Sequence, residues 1–339
     1  MLIDELPIKP ELKALLHAQG YLSLHPPQAE AVPLALNGQN LVVSIPTASG
    51  KSLIGYLAAI RTVLEKGQRV LYIVPLKALA AEKKDDLQAF ASLGFRVALS
   101  IGDLDSEETR LRDADIVVAT SEKADSLLRH GHQFMNEVGL VIADEVHLIH
   151  DPGRGPTLEV ALTKMMRRNP RMQIIALSAT ISNAAELAEW LNARLVSSNW
   201  RPVPLREGIY LDGEIRYADG KREEAVGDSE PLWNLIRGSV DKGGQCLVFV
   251  NSRRSTESVA HNYSKLMRPL AGQNLDFGTR QVLEGESEST SIGRKLAQCV
   301  SAGIAFHHAG LSSSQRKMVE SAFKEGRVKC IVATPTLAA

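Results

Sequence analysis

Residues 41 to 52 read LVVSIPTASGKS: an apolar, β-branched run, a turn of small residues, then Gly50, Lys51 and Ser52 at the head of a helical pattern. A strand, a glycine-bearing loop and a helix start, in that order, form the setting that a phosphate-binding loop requires. In such a loop, here Pro46, Thr47, Ala48, Ser49 and Gly50, the backbone N–H groups after the proline and the helix N-terminus surround a nucleotide's β- and γ-phosphates. Lys51 would neutralise those phosphates and the Ser52 hydroxyl would ligate Mg2+. Ile45 stands where the general pattern has its first glycine. Taken alone, the Gly-Lys-Ser triplet has a plainer reading, as the start of an exposed helix.

A second apolar run settles the choice. Residues 140 to 147 read LVIADEVH, so another strand ends in two adjacent carboxylates, 93 residues beyond Lys51. Neighbouring positions at a strand end point to opposite sides, and the pair can divide its labour. Asp144 would hold the Mg2+ hydration shell, while Glu145 would orient and deprotonate the attacking water. Lone acidic residues at a strand end are usually just solvated; beside a phosphate loop they point to nucleotide hydrolysis.

The same strand type recurs outward from these two segments: RVLYIVP (69 to 75), FRVALSI (95 to 101), DIVVATS (115 to 121) and QIIALSAT (173 to 180), with helical patterns between. Strands that are apolar throughout suit a parallel sheet covered by helices on both faces. The fold class is therefore α/β, with mainly parallel sheets flanked by helices. RPVPL at 201 to 205 breaks the repeat, and an antiparallel excursion follows, turning at Asp212-Gly213 and Asp219-Gly220. A second βα series then runs through the strands QCLVFVN (245 to 251), GIAFHH (303 to 308) and VKCIVAT (328 to 334). Two domains are expected, 1 to 200 and 201 to 339, with 272 to 291 read as a loop leading into a helix. The chain stops just past its last strand, where functional loops of βα domains are found, so a motor cut short is expected.

Composition narrows the class without choosing a partner. At 339 residues the chain exceeds one ordinary core. Lys plus Arg equals Asp plus Glu at 39 each, so no overall charge advertises a polyanion; a cleft needs only local donors. Cys246, Cys299 and Cys330 are widely spaced, without metal-ligand spacing, and read as buried thiols in a reducing compartment. No export signal or apolar run of spanning length is present, so a soluble, cytoplasmic protein away from membranes is expected.

Asp-Glu-Val-His is also where a family becomes visible. The chain resembles superfamily-two helicases, and within them the archaeal fork-remodelling DNA helicases of the Hjm type, in the Ski-like group. HPPQAE (25 to 30) is similar to that group's adenine-recognition segment, with Gln28 implied as the reader of the adenine edge. PLKALA (75 to 80) and TSEK (120 to 123) are similar to first-lobe motifs that grip a nucleic-acid backbone, and SAT (178 to 180) to the motif that links hydrolysis to lobe movement. GDLDS (102 to 106) and RGPTLE (154 to 159) resemble this subgroup in particular. In the second half VFVNSRR (248 to 254), FHHAGL (306 to 311) and ATPTL (333 to 337) resemble motifs that touch the tracked strand and ATP.

The resemblance implies two tandem RecA-like domains of the P-loop NTPase type and an ATP- and Mg2+-dependent DNA helicase motor. It implies 3′ to 5′ movement on single-stranded and forked DNA, as a monomer. It assigns coupling to His147, Ser178 and Thr180, and nucleic-acid contact to Lys77, Thr120, Ser121, Arg253, Arg254, His308 and Thr334. ATP would lie between the lobes. The family's arginine-rich motif and winged-helix domain would follow residue 339, so this chain is expected to bind ATP and hydrolyse it weakly. Two alternatives stand beside the DNA reading: an RNA helicase of the same group, and a non-enzymatic, nucleotide-dependent binding fragment.

Overall fold

The run LVVS forms β1 (Leu41–Ser44), and it lies inside a seven-stranded sheet with β2 (Arg69–Val74), β3 (Val97–Ser100), β4 (Ile116–Thr120), β5 (Val138–Ala143), β6 (Gln173–Ser178) and β7 (Arg194–Ser197). The strand order is β3-β4-β2-β5-β6-β1-β7, and every neighbouring pair is parallel. This is a computed structural model, and it describes residues 1–101, 111–225, 227, 230–271 and 291–335. The chain divides into two compact units, Met1–Leu205 and Arg206–Ala339.

In the first unit the two-residue period of a strand assigns side chains to opposite faces. Leu41, Val43, Tyr72, Ile142 and Leu177 pack on one side, against α2 (Pro26–Leu36), α3 (Lys51–Lys66) and α4 (Lys77–Gln88). Val42, Leu71, Ile73, Val141 and Ala176 pack on the other, against α5 (Ser121–Arg129), α6 (Gly155–Arg168) and α7 (Ala184–Trp190). A short α1 (Pro10–Ala18) closes over the first face. Both faces are dry, which is why these strands carry apolar residues at every position; each buried Val, Leu or Ile contributes about 1.5–3 kcal/mol. The expected strands all form, shortened by a residue or more at their ends. The seventh, β7, was not among them, because RLVS at the sheet edge is only partly buried and has polar residues on both sides.

The second unit begins with an antiparallel meander, β8 (Gly208–Leu211), β9 (Glu214–Tyr217) and β10 (Arg222–Glu224). Asp212 at φ +51° and Gly213 at φ +84° both adopt left-handed backbone, the two-residue turn whose twist matches a hairpin. A parallel sheet follows, ordered β11-β13-β12, from β11 (Cys246–Phe249), β12 (Ile304–His307) and β13 (Cys330–Ala333). It packs with α8 (Pro231–Asp241), α9 (Arg253–Ala271), α10 (Ser291–Ser301) and α11 (Ser313–Lys324) around Phe306, Val319, Val332 and Met267. β11 differs from the fully buried strands of the first unit, since Leu247 and Phe249 are exposed. Cys299 and Cys330 are buried and Cys246 half-buried, all as free thiols. GDLDS and most of the 272–291 segment lie outside the described residues, as do the last two residues of ATPTL. No described helix is long and apolar enough to cross a membrane.

Candidate nucleotide site and strand-contact face

Because all seven strands run the same way, their C-terminal ends share one edge of the sheet, where βα folds place ligands. β5, β6 and β1 are consecutive neighbours there. The phosphate loop leaves β1, the carboxylate pair leaves β5 and the Ser-Ala-Thr segment leaves β6. Segments far apart in sequence are thereby brought to one place.

The loop closes tightly before α3. Ser49 N–H donates to the Pro46 carbonyl (3.3 Å), and Ser49 Oγ donates to the Trp200 carbonyl (3.2 Å). Ala48 at φ +64° and Gly50 at φ +77° both take left-handed backbone. For alanine that conformation costs on the order of 1 kcal/mol, strain of the kind that gathers at functional sites. Lys51, the first residue of α3, is only 6% exposed, and its Nζ lies 3.5 Å from Glu145 Oε2. A lysine so buried needs an anionic partner, and Glu145 supplies it. Glu145 itself is held at φ +51°, turning its side chain back toward the loop.

Asp144 is 5% exposed. Its Oδ1 accepts the Glu145 N–H (2.9 Å) and its Oδ2 accepts the Tyr72 hydroxyl (2.9 Å). Burial pushes its carboxyl above the usual range, opposed by the positive charge of Lys83 and reinforced by Glu145. Lys83 Nζ donates to Ser52 Oγ (2.9 Å) and stands 3.9 Å from Asp144 Oδ2. Ser52 and Asp144 thus present hard oxygen donors toward one cation, which fits a Mg2+ held jointly with a nucleotide. Among the described residues no group of three or more His, Cys, Asp or Glu side chains could hold a metal alone. Phosphate and water would have to complete its shell.

His147 ties this centre to the end of β6. Its Nδ1 lies 3.3 Å from Glu145 Oε2 and accepts the Ala179 N–H (3.4 Å). Burial lowers its pKa, against the pull of Glu145, and a neutral ring is what can accept an N–H. Ser178 is buried in the sheet, whereas Thr180 is exposed.

Gln28 is brought beside the phosphate loop, its amide bonded within the protein. It is 3% exposed, its Oε1 accepting the His25 N–H (2.8 Å) and its Nε2 donating to the Gly50 carbonyl (2.9 Å). A Cβ on Gly50 would collide with that amide. Sequence reasoning overlooked Tyr72, Lys83 and Trp200. No motif marks them; only packing shows that Tyr72 and Lys83 reach Asp144 and that the Trp200 ring lies 4.7 Å from that of His25.

The residues expected to touch a strand divide by exposure. In the first unit Lys77 opens α4 and is exposed, while Thr120 and Ser121, at the junction of β4 and α5, are buried. In the second unit Arg253 and Arg254 open α9 and are exposed, and Thr334 is buried at the end of β13, its N–H donating to the His307 carbonyl (3.2 Å). His308 is also buried, at 1% exposure, stacked on Phe306 and accepting the Gly310 N–H. His307 is buried as well, with Nε2 3.0 Å from Glu320.

Residues 25–187 match the DEAD/DEAH box helicase family, a span that holds the phosphate loop, the carboxylate pair and the Ser-Ala-Thr segment. The first unit thus carries a DEAD/DEAH box helicase domain of RecA-like P-loop fold. More particularly, the chain as a whole is homologous to proteins named ATP-dependent DNA helicase Hel308. It is 45% identical to that of Methanocella arvoryzae over 100% of this chain and 47% of the relative. Against that of Pyrococcus horikoshii it is 44% identical over 100% of this chain and 46% of the relative. For Pyrobaculum calidifontis the figures are 46% identity, 100% and 48%. The chain spans about half the length of these relatives.

Proposed function

We propose that this chain is the ATP-hydrolysing motor of a DNA helicase, with the nucleotide held at the C-terminal edge of the first unit's sheet. The observation that carries the reading is the 3.5 Å approach of Lys51 Nζ to Glu145 Oε2. It puts the phosphate-binding cation beside a carboxylate able to take a proton from an attacking water. Lys51 and the loop N–H groups bind the phosphates. Glu145 orients the water and accepts its proton, held by Lys51, with the His147 ring beside it. Mg2+, when bound, offsets phosphate charge, and Ser52 and Asp144 are the side chains that hold it. His147 carries a shift of Glu145 to the Ser178–Thr180 segment through the Ala179 N–H.

The exposed cations Lys77, Arg253 and Arg254 suit backbone phosphates, which are gripped without reading sequence. DNA is preferred over RNA as the strand because the relatives bear the name of DNA helicases. The same proposal takes Arg206–Ala339 as the second RecA-like lobe, with 3′ to 5′ movement on forked DNA by a cytoplasmic monomer. Unwinding of matched forked DNA and RNA duplexes with single-stranded tails of either polarity tests it. Unwinding of DNA with a 3′ tail is expected, and a preference for RNA overturns the substrate.

A further inference from the structure

The two oxygens assigned to Mg2+ already share a cation from the chain itself. Lys83, on the second turn of α4, donates from Nζ to Ser52 Oγ at 2.9 Å and stands 3.9 Å from Asp144 Oδ2, with Glu82 Oε1 as its remaining partner at 3.5 Å. The Lys83 side chain is only 11% exposed and the Asp144 carboxylate 4%, so this is no loose surface pair. Asp144 is held in place by Tyr72 and by the Glu145 N–H whether or not Lys83 is present. A Mg2+ bound to Ser52 would lie about 2.1 Å from its oxygen, on the side facing Asp144. That is the space the ammonium occupies. Two cations so close repel, and an ammonium hydrogen-bonded to Ser52 Oγ leaves that oxygen with less to give a metal.

We propose that Lys83 competes with Mg2+ for Ser52 and Asp144, standing in for the metal on these two side chains and having to swing away when the metal binds. No step of hydrolysis passes through Lys83; it occupies the place between Ser52 and Asp144 and sets how much metal the site requires. The inference rests on the reading of Ser52 and Asp144 as metal-holding residues. It differs from a purely structural role in the sign of one effect. A lysine that merely buttresses the site loosens metal binding when removed, whereas a competitor tightens it.

The test uses Mn2+ as the probe, with its free concentration read by electron paramagnetic resonance in the presence of the full chain and a non-hydrolysable ATP analogue. Lys83→Met is expected to tighten Mn2+ by about tenfold or more, the order set by removing one close positive charge from a partly buried site. Lys84→Met, the neighbour on the same helix, is expected to leave the affinity within about twofold, as for a half-exposed charge paired with Asp85 away from the site. If Lys83→Met folds poorly, Lys83→Gln keeps a polar end without the charge and carries the same expectation. Without metal, the Lys83 variant should melt lower than wild type, because Asp144 loses its counter-charge, and saturating Mn2+ should close that gap. Unchanged or weaker Mn2+ binding in both Lys83 variants overturns the inference, provided Asp144→Asn still weakens it. If Asp144→Asn binds Mn2+ like wild type, the metal-site reading fails and this inference with it.

Discussion

Lys51 Nζ and Glu145 Oε2 lie 3.5 Å apart across 94 residues of chain, the end of one strand's loop meeting the end of another's. Lysine-to-carboxylate pairing inside a protein is costly to break from one side, because the survivor remains buried and charged. Lys51→Ala is therefore expected to weaken binding of a fluorescent ATP analogue by at least about tenfold through loss of the phosphate's cation. Equal affinity in wild type and variant, by fluorescence titration, would remove Lys51 from the phosphate site.

Tyr72 reaches Asp144 from the middle of β2, and its hydroxyl is fully buried. Tyr72→Phe keeps the ring and deletes the donor, leaving a carboxylate short of a hydrogen bond. Bonds to charged groups contribute about 1.5–3 kcal/mol, so the unfolding free energy in urea should fall by that order. A change under about 0.5 kcal/mol would place the bond among those that contribute nothing net.

Gly155, in the RGPTLE segment, starts α6 pressed against the turn that follows Asp144-Glu145: an added Cβ would run into the Ile149 carbonyl. Backbone cannot swing aside as a side chain can. Gly155→Ala is expected to cost about 1–3 kcal/mol and to lower ATP turnover as well, since the displaced turn carries His147. Circular-dichroism melts and a phosphate-release assay on one preparation read both effects. A variant as stable as wild type would show that the turn yields freely.

Burial raises the pKa of all three thiols. Cys299 is pushed up to about 12 by burial, with Glu257 adding to the effect; Cys330 and the half-buried Cys246 are also raised by burial. The thiolate is the reactive form, so a raised pKa keeps these groups protonated and slow, and reactivity rises only as pH climbs toward the folded value. Iodoacetamide at pH 8 should label Cys246 first, and Cys299 and Cys330 only in urea. By linkage the neutral thiols favour the fold at every pH below the free-thiol pKa, and that contribution is lost as pH rises through their folded pKa values, so they add no pH dependence to stability between 6 and 8. Mass spectrometry of timed samples checks the order; rapid native labelling of Cys330 would contradict it.

Much of this was legible in the sequence for physical reasons. Strands β1, β2, β4, β5 and β6 are buried on both faces and so carry unbroken apolar runs, which stand out from any helix. The Asp212-Gly213 turn announces itself because few residues tolerate its backbone. The phosphate loop and the Asp144-Glu145 pair were readable because their chemistry demands fixed residue types just beyond a strand. What was not legible arrives by packing. Lys83 and Tyr72 converge on Asp144 from α4 and β2, and nothing in either segment's own pattern says that they meet. Burial of His308 was hidden as well, since a histidine at a strand end can stack inward on Phe306 or face solvent with equal local logic. Gln28 was recognised, but its hydrogen bonds to His25 and Gly50 depend on where α2 is placed against the loop. The edge strand β7 was missed because half-buried strands at sheet edges lose the apolar signal that marks central ones.

Whether this arrangement is a motor or only a nucleotide-dependent binding fragment turns on Glu145. Glu145→Gln retains the shape of the side chain, removes the base and leaves Lys51 in place for the phosphates. The deciding measurement is ATP turnover with single-stranded DNA present, in wild type and Glu145→Gln, alongside ATP affinity for each. Loss of turnover by about a hundredfold or more, with affinity held within a few-fold, is the predicted result. Equal turnover in the two proteins would contradict it and leave the chain a binder of nucleotide.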